Sequence, residues 1–93
     1  HAEDVCTSIG IETIRKFTQA EISDSLAKLE DNDSYGMILR AKGMVANAEG
    51  SEWIHFDYVP EESDVRLGHA EITGKIVVIG HEVKEDAIKQ LFA

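Results

Sequence analysis

An α+β fold is predicted for this 93-residue chain, a mostly antiparallel sheet of four to five strands with two helices on one face, in the order β-α-β-β-(β)-β-α. Three observations carry that expectation. A capping box opens an amphipathic helix at Thr18, the hydrophobic period drops to two between Tyr35 and Val59, and Ile76-Val77-Val78-Ile79 is an unbroken β-branched run. Length and composition agree: 43% hydrophobic and 29% charged residues are ordinary for a globular domain. A chain of this size buries roughly 60 to 70% of its unfolded surface, enough for one core and too little for two.

His1 to Ser8 is small, polar and unpatterned, and reads as a lead-in or linker remnant (1–8) ahead of the domain proper (9–93). Residue one is His where a native start would carry Met, so a processed product, a tag remnant or a piece of something longer is expected, the last being the favoured reading. Ile9, Ile11 and Thr13 alternate with Gly10 and Glu12 as a first strand. At the first helix Thr18 is the N-cap, Glu21 completes the capping box, and Phe17 with Ile22 forms the hydrophobic staple. Ile22, Leu26 and Leu29 fall at i, i+4 and i+7 on its buried stripe. Asp31-Asn32-Asp33 is expected to end it.

The next two strands should form a hairpin turning at Glu49-Gly50. With Ala48 facing Ser51, the register places Val45 opposite Ile54, Gly43 opposite Phe56 and Ala41 opposite Tyr58, and that face is the core. The other face pairs Ala46 with Trp53, Met44 with His55 and Lys42 with Asp57, the last as an ion pair. Pro60 should stop the strand. Glu61 to Asp64 reads as a loop, Val65 to Ala70 as a weak strand, and Lys75 to Ile79 as a central strand buried on both faces and broken by Gly80. Glu85 and Asp86 favour a helix start, and Ala87, Ile88, Leu91 and Phe92 form its buried stripe, although no good N-cap precedes it.

Nine basic against eighteen acidic side chains leave a net charge of −9, which repels phosphate backbones and anionic lipid heads, so nucleic acid and membrane surfaces are excluded as expected partners. The longest β-branched apolar run is far short of the roughly 20 residues that cross a bilayer, and no leader pattern opens the chain, so a soluble, cytoplasmic protein is expected. Cys6 is the only cysteine; it can form no internal disulfide and no thiolate zinc cluster. It also lies in the polar lead-in with no fixed base, and no Ser-His-Asp set or isolated carboxylate pair is visible, so catalysis is not expected of this chain.

Arg40 and Lys42, two apart on one strand, point to the same side, while Gly43 lets Phe56 cross close over the backbone. One reading makes the two cations solvated decoration, Lys42 paired with Asp57. The other makes them a docking point for an acidic partner surface. Met44, Trp53 and His55 share that face, and an aromatic and a thioether beside Arg is the make-up of an interface core.

Metal binding is the alternative. His55 and Asp57 stand at i, i+2 on one strand face, a spacing that can present two ligands to one ion, and His69 with Glu71 repeats it. Continuing the sheet through a Glu61–Asp64 loop, however, puts His69 opposite Phe56 on the core side, away from His55.

The stretch Ile38-Leu39-Arg40-Ala41-Lys42-Gly43, a tryptophan strand, then Ile76-Val77-Val78-Ile79-Gly80 and a terminal helix resembles the C-terminal domain of the CobW family of P-loop GTPases, described as metal chaperones and cobalamin-synthesis-like proteins. The resemblance runs from about the first strand to Phe92. It implies a GTPase domain upstream that carries the phosphate-binding loop and a cysteine-rich metal motif, neither of which occurs in this sequence. It therefore implies no cofactor in this fragment, with GTP and a divalent metal, zinc or cobalt, belonging to the full-length protein. The partners it implies are the upstream GTPase domain and a client metalloprotein, met at Arg40, Lys42, Met44, Trp53 and His55. The resulting expectation is a non-catalytic accessory domain, with a stand-alone metal-binding module using His55 and Asp57 as the alternative.

Overall fold

The computed structural model describes residues 6–93; residues 1–5 of the segment read as a lead-in lie outside the described residues. The elements are β1 (Thr7–Thr13), β2 (Lys16–Phe17), α1 (Gln19–Lys28), α2 (Asn32–Tyr35), β3 (Met37–Asn47), β4 (Trp53–Val59), β5 (Glu62–Gly68), β6 (Gly74–His81) and α3 (Glu85–Leu91). Five strands run in the order β1-β6-β3-β4-β5 with every neighbour antiparallel, and β2 adds a short parallel pairing to the end of β3. This is the α+β class expected, enlarged by one two-residue strand and one single-turn helix.

The β3–β4 register is the one the side-chain pattern requires: Ala41 faces Tyr58, Gly43 faces Phe56 and Val45 faces Ile54. Those residues other than Gly43 are buried, and with Ile38, Ile76 and Val78 they make the sheet half of the core. The helices supply the other half through Ile22, Leu26, Leu29, Ile88 and Phe92, with Phe17 closing one end. The stacked rings of Phe56 and Phe92, 6.3 Å between centroids, join hairpin to terminal helix. All helical cover is therefore on one face of the sheet.

The capping box forms as its sequence dictates, with the Glu21 amide donating to Thr18 Oγ1 at 3.1 Å and the Thr18 amide donating to Glu21 Oε1 at 2.8 Å. Arg15 lies over the Phe17 ring at 4.2 Å and bonds Glu21 Oε2 at 2.9 Å, so a cation braces the cap from outside. At the far end, Asp31 begins a second helix where an end to the first was expected: its carboxylate accepts from the Asp33 and Ser34 amides and the Ser34 hydroxyl, forming the N-cap of α2. The Ser34 hydroxyl bond is the main cause holding the Asp31 carboxyl below its ordinary pKa.

Several sequence expectations change for physical reasons. β1 begins at Thr7, inside the segment read as lead-in, because Thr7 and Ser8 pair with Gly80 and Ile79. Gly80 does not break β6, which continues to His81; a Cβ at Gly80 would stand 2.2 Å from the Met37 carbonyl, so glycine permits the close strand crossing there. β6 is an inner strand, but only its Ile76 and Val78 side is buried, Val77 being exposed, because no helix covers the other face. The β3–β4 connection occupies residues 48–52, longer than a two-residue turn, and is started by Asn47 Oδ1 accepting the Glu49 amide.

The largest change follows Pro60. Instead of a four-residue loop, Pro60 and Glu61 alone make the turn, Glu61 adopting φ 66°, and β5 pairs at once as Val59 with Glu62 and Phe56 with Val65. Glu30, just beyond α1, anchors this turn by accepting the Glu61 amide at 2.6 Å. Glu30 also bonds the Tyr58 phenol, and burial followed by that bond raises the phenol's pKa. Moving the turn forward by two residues shifts β5 by four positions against β4, and His69 moves with it.

Candidate functional site

The uncovered face of the sheet is laid out in rows by the strand registers. One row runs Glu12, Lys75, Met44, His55, Arg66, and the next Gly10, Val77, Lys42, Asp57, Asp64; a third brings Ser8, Ile79 and Arg40 together. The five residues read as a partner surface thus share a face: Arg40 and Lys42 are exposed, and Met44, Trp53 and His55 are half-buried. A bulge between Ile38 and Arg40 lets both Ile38 and Ala41 turn inward while Arg40 turns out.

The expected ion pair between Lys42 and Asp57 is not the one that forms. Although the two are register partners, Asp57 accepts from Arg66 at 3.0 Å, and Arg66 also bonds Asp64 at 2.6 Å. One guanidinium nitrogen of Arg66, Nη1, on neighbouring β5 bridges the two carboxylates. Those bonds, Asp64 first and Asp57 second, raise the Arg66 pKa. Asp57 is therefore already engaged by a cation.

His55 is engaged as well. Its ring lies on Gly68, where a Cβ would come within 2.8 Å of Cδ2, and its Nε2 is 2.9 Å from the His69 carbonyl oxygen. Since a carbonyl only accepts, it is Nε2 that carries a proton and donates. The expectation that His69 lies away from His55 is corrected: the short Pro60–Glu61 turn brings their rings to 4.8 Å, with His69 Nε2 3.5 Å from Glu71 Oε1. Even so, no group of three or more His, Cys, Asp or Glu side chains among the described residues is arranged to hold a metal ion.

Cys6 has the neighbour that sequence reasoning denied it. Extension of β1 and β6 brings its Sγ to 3.8 Å from His81 Nε2, both at the same end of the sheet. The contact is solvent-exposed, and His81 Nδ1 is buried without a hydrogen-bond partner.

Two features were missed. Ile14 and Ile72 are 90% and 98% exposed, and the Thr13–Gly74 pairing puts both at one end of the sheet. Ile72 helps line a depression of about 360 Å³ together with Glu12, Met44, Glu71, Thr73 and Lys75, so the open face continues into an apolar ledge. The signal was an isoleucine in each of two strand-to-strand connections, Ile14 before Arg15 and Ile72 before Thr73-Gly74, where polar turn residues are the rule. The other is Arg66, whose role depends on a register that the turn length decides.

No helix among the described residues is long and apolar enough to cross a membrane. In fold the chain is similar to the zinc-bound YjiA GTPase from E. coli, with a TM-score of 0.77, 22% identity, and 94% of this chain matched. A zinc-bound triple mutant of YjiA superposes with a TM-score of 0.75 at 23% identity, again over 94% of this chain. The chain spans 28% of the length of each of those proteins. No curated protein matches the sequence. Residues 6–93 match the model of the cobalamin synthesis protein cobW C-terminal domain, nearly the whole chain, and the protein belongs to that family.

Proposed function

We propose that this domain is a non-catalytic accessory module of a cytoplasmic CobW-like GTPase involved in metal-cofactor delivery, and that its open sheet face meets the GTPase domain or a client metalloprotein. The observation that carries the reading is the uncovered face itself. A sheet normally buries one face and solvates the other with polar side chains, whereas here Trp53, Met44, Val77 and Ile79 stand among Arg40, Lys42 and Lys75. An aromatic and apolar patch set among cations is the composition of a binding surface. The likeness in fold to part of a zinc-bound GTPase supports placing GTP and a divalent metal, zinc or cobalt, in the remainder of the full-length protein.

The test is a titration of the doubly substituted domain, Arg40→Glu with Trp53→Ala, against the separated GTPase domain of the full-length protein and against candidate metalloenzymes. Both side chains point away from the core, so circular dichroism should show a folded domain, and affinity should fall by at least about 2 kcal/mol, the scale of aromatic and Arg anchors. Unchanged affinity in the folded double variant removes this face from the account.

A further inference from the structure

The open face is not uniform in charge. Of nine Lys and Arg in the sequence, four occupy outward positions on it: Arg40, Lys42, Arg66 and Lys75. Its outward acids, Glu12, Asp57, Glu62 and Asp64, all belong to β1, β4 and β5. The adjacent strands β3 and β6 contain no acidic residue at all, in a chain with eighteen. Asp57 and Asp64 are both bonded to Arg66, which leaves the inner strip of Arg40, Lys42 and Lys75 as a band of positive charge on a molecule of net charge −9.

The band also has direction. Arg40 and Lys42 lie toward one end; at the other, Lys75 is flanked by Glu12 and Glu71, and the lining turns apolar with Met44 and Ile72. Val77 stands between, 41% exposed. A ligand that complements the strip carries carboxylates at one end and apolar side chains at the other.

We infer that the β3–β6 strip docks an acidic segment of a separate protein, its carboxylates on Arg40 and Lys42 and its apolar side chains on Met44, Val77 and Ile72. This deepens the reading of the open face as a partner surface and rests on it. Charge complementarity selects the acidic class, because a basic segment would meet Arg40 and Lys42, neither of them paired with a carboxylate among the described residues. A phosphate polymer meets the acidic remainder of the molecule on every side. A separate protein is favoured over a tethered domain because long-range attraction speeds the encounter of free molecules and adds little to a domain already held at high effective concentration.

The experiment uses the isotopically labelled 93-residue chain and three unlabelled probes at low and moderate salt. One is a synthetic peptide with glutamates in its first half and leucines in its second. The second replaces every glutamate by lysine, and the third is a single-stranded oligonucleotide. The acidic peptide should shift the resonances of Arg40, Lys42, Met44, Ile72 and Val77. Its affinity should fall at least tenfold in the Arg40→Gln, Lys42→Gln variant, which removes two charges at exposed positions and so keeps the fold, and should weaken with salt. Equal or tighter binding of the lysine peptide or oligonucleotide at these residues overturns the inference, as does acidic-peptide binding that ignores the substitution. If no probe binds but the separated GTPase domain shifts the same residues, the inference fails and the docking face stands; if that domain and candidate metalloenzymes also leave them unmoved, both fail.

Discussion

Phe56→Ala is expected to lower the unfolding free energy by about 3 to 5 kcal/mol, the range for removing a large ring from a packed core. Phe56 is fully buried, its ring stacks at 6.3 Å on Phe92, and its edge fills the space a Cβ on Gly43 would need, 2.5 Å from Cζ. Both strands of the hairpin and the residue capping the terminal helix meet on this side chain, so the cavity cannot close by moving one element. His55→Ala, one residue away and on the open face, should cost far less, under about 1.5 kcal/mol, because it loses one exposed hydrogen bond and partial packing. Urea unfolding of the two variants measures both losses, and equal losses would mean that the faces have been assigned the wrong way round.

Gly36→Ala should also be strongly destabilising, by about 3 kcal/mol, since two penalties coincide. Gly36 caps α2 at φ 88° and ψ −179°, a region open essentially to glycine alone. An added Cβ would lie 2.3 Å from the Glu82 carbonyl oxygen and 2.9 Å from Val83 Cα, backbone atoms that cannot swing aside. The α2–β3 junction would have to part from the β6–α3 connection, where the Lys84 amide donates to the Tyr35 carbonyl and the Lys84 ammonium to the Asp33 carbonyl. Gly10→Ala is the control: nothing lies within 4 Å of its added Cβ, and its loss should be within about 0.5 kcal/mol. Matching denaturation midpoints for the two variants would refute the strain assigned to Gly36.

The sequence made legible whatever local chemistry determines. Thr18 and Glu21 cap α1, the alternation through Ala41, Val45, Ile54, Phe56 and Tyr58 sets the core face of the hairpin, and Ile88 with Phe92 supplies the last helix's stripe. What failed depended on distances along the chain that alternation does not encode. Parity survives a change of four residues in register, so a Pro60–Glu61 turn and a four-residue loop put the same side of β5 inward, yet they place His69 beside different residues. The partners of Asp57 and His55 changed with that turn. α2 was hidden because Asp31-Asn32-Asp33 signals the end of one helix and the cap of another equally well. The five residues proposed as a partner surface do share a face, since that required only parity; the charge strip and the Ile72 ledge needed the strand order, which no local pattern gives.

The central claim, that the uncovered sheet face is where this domain meets its partner, is tested most directly by side-chain resonances of the labelled chain with the unlabelled GTPase domain of the full-length protein or a client metalloprotein added. The Met44 and Val77 methyls and the indole of Trp53, the chain's single tryptophan, report from the open face, and the methyls of Ala20 and Ala27 report from the exposed side of α1. Binding should move the first three and leave the two alanines where they are. Shifts at Ala20 and Ala27 with Met44, Trp53 and Val77 unmoved would place the interface on the helical layer and contradict the account.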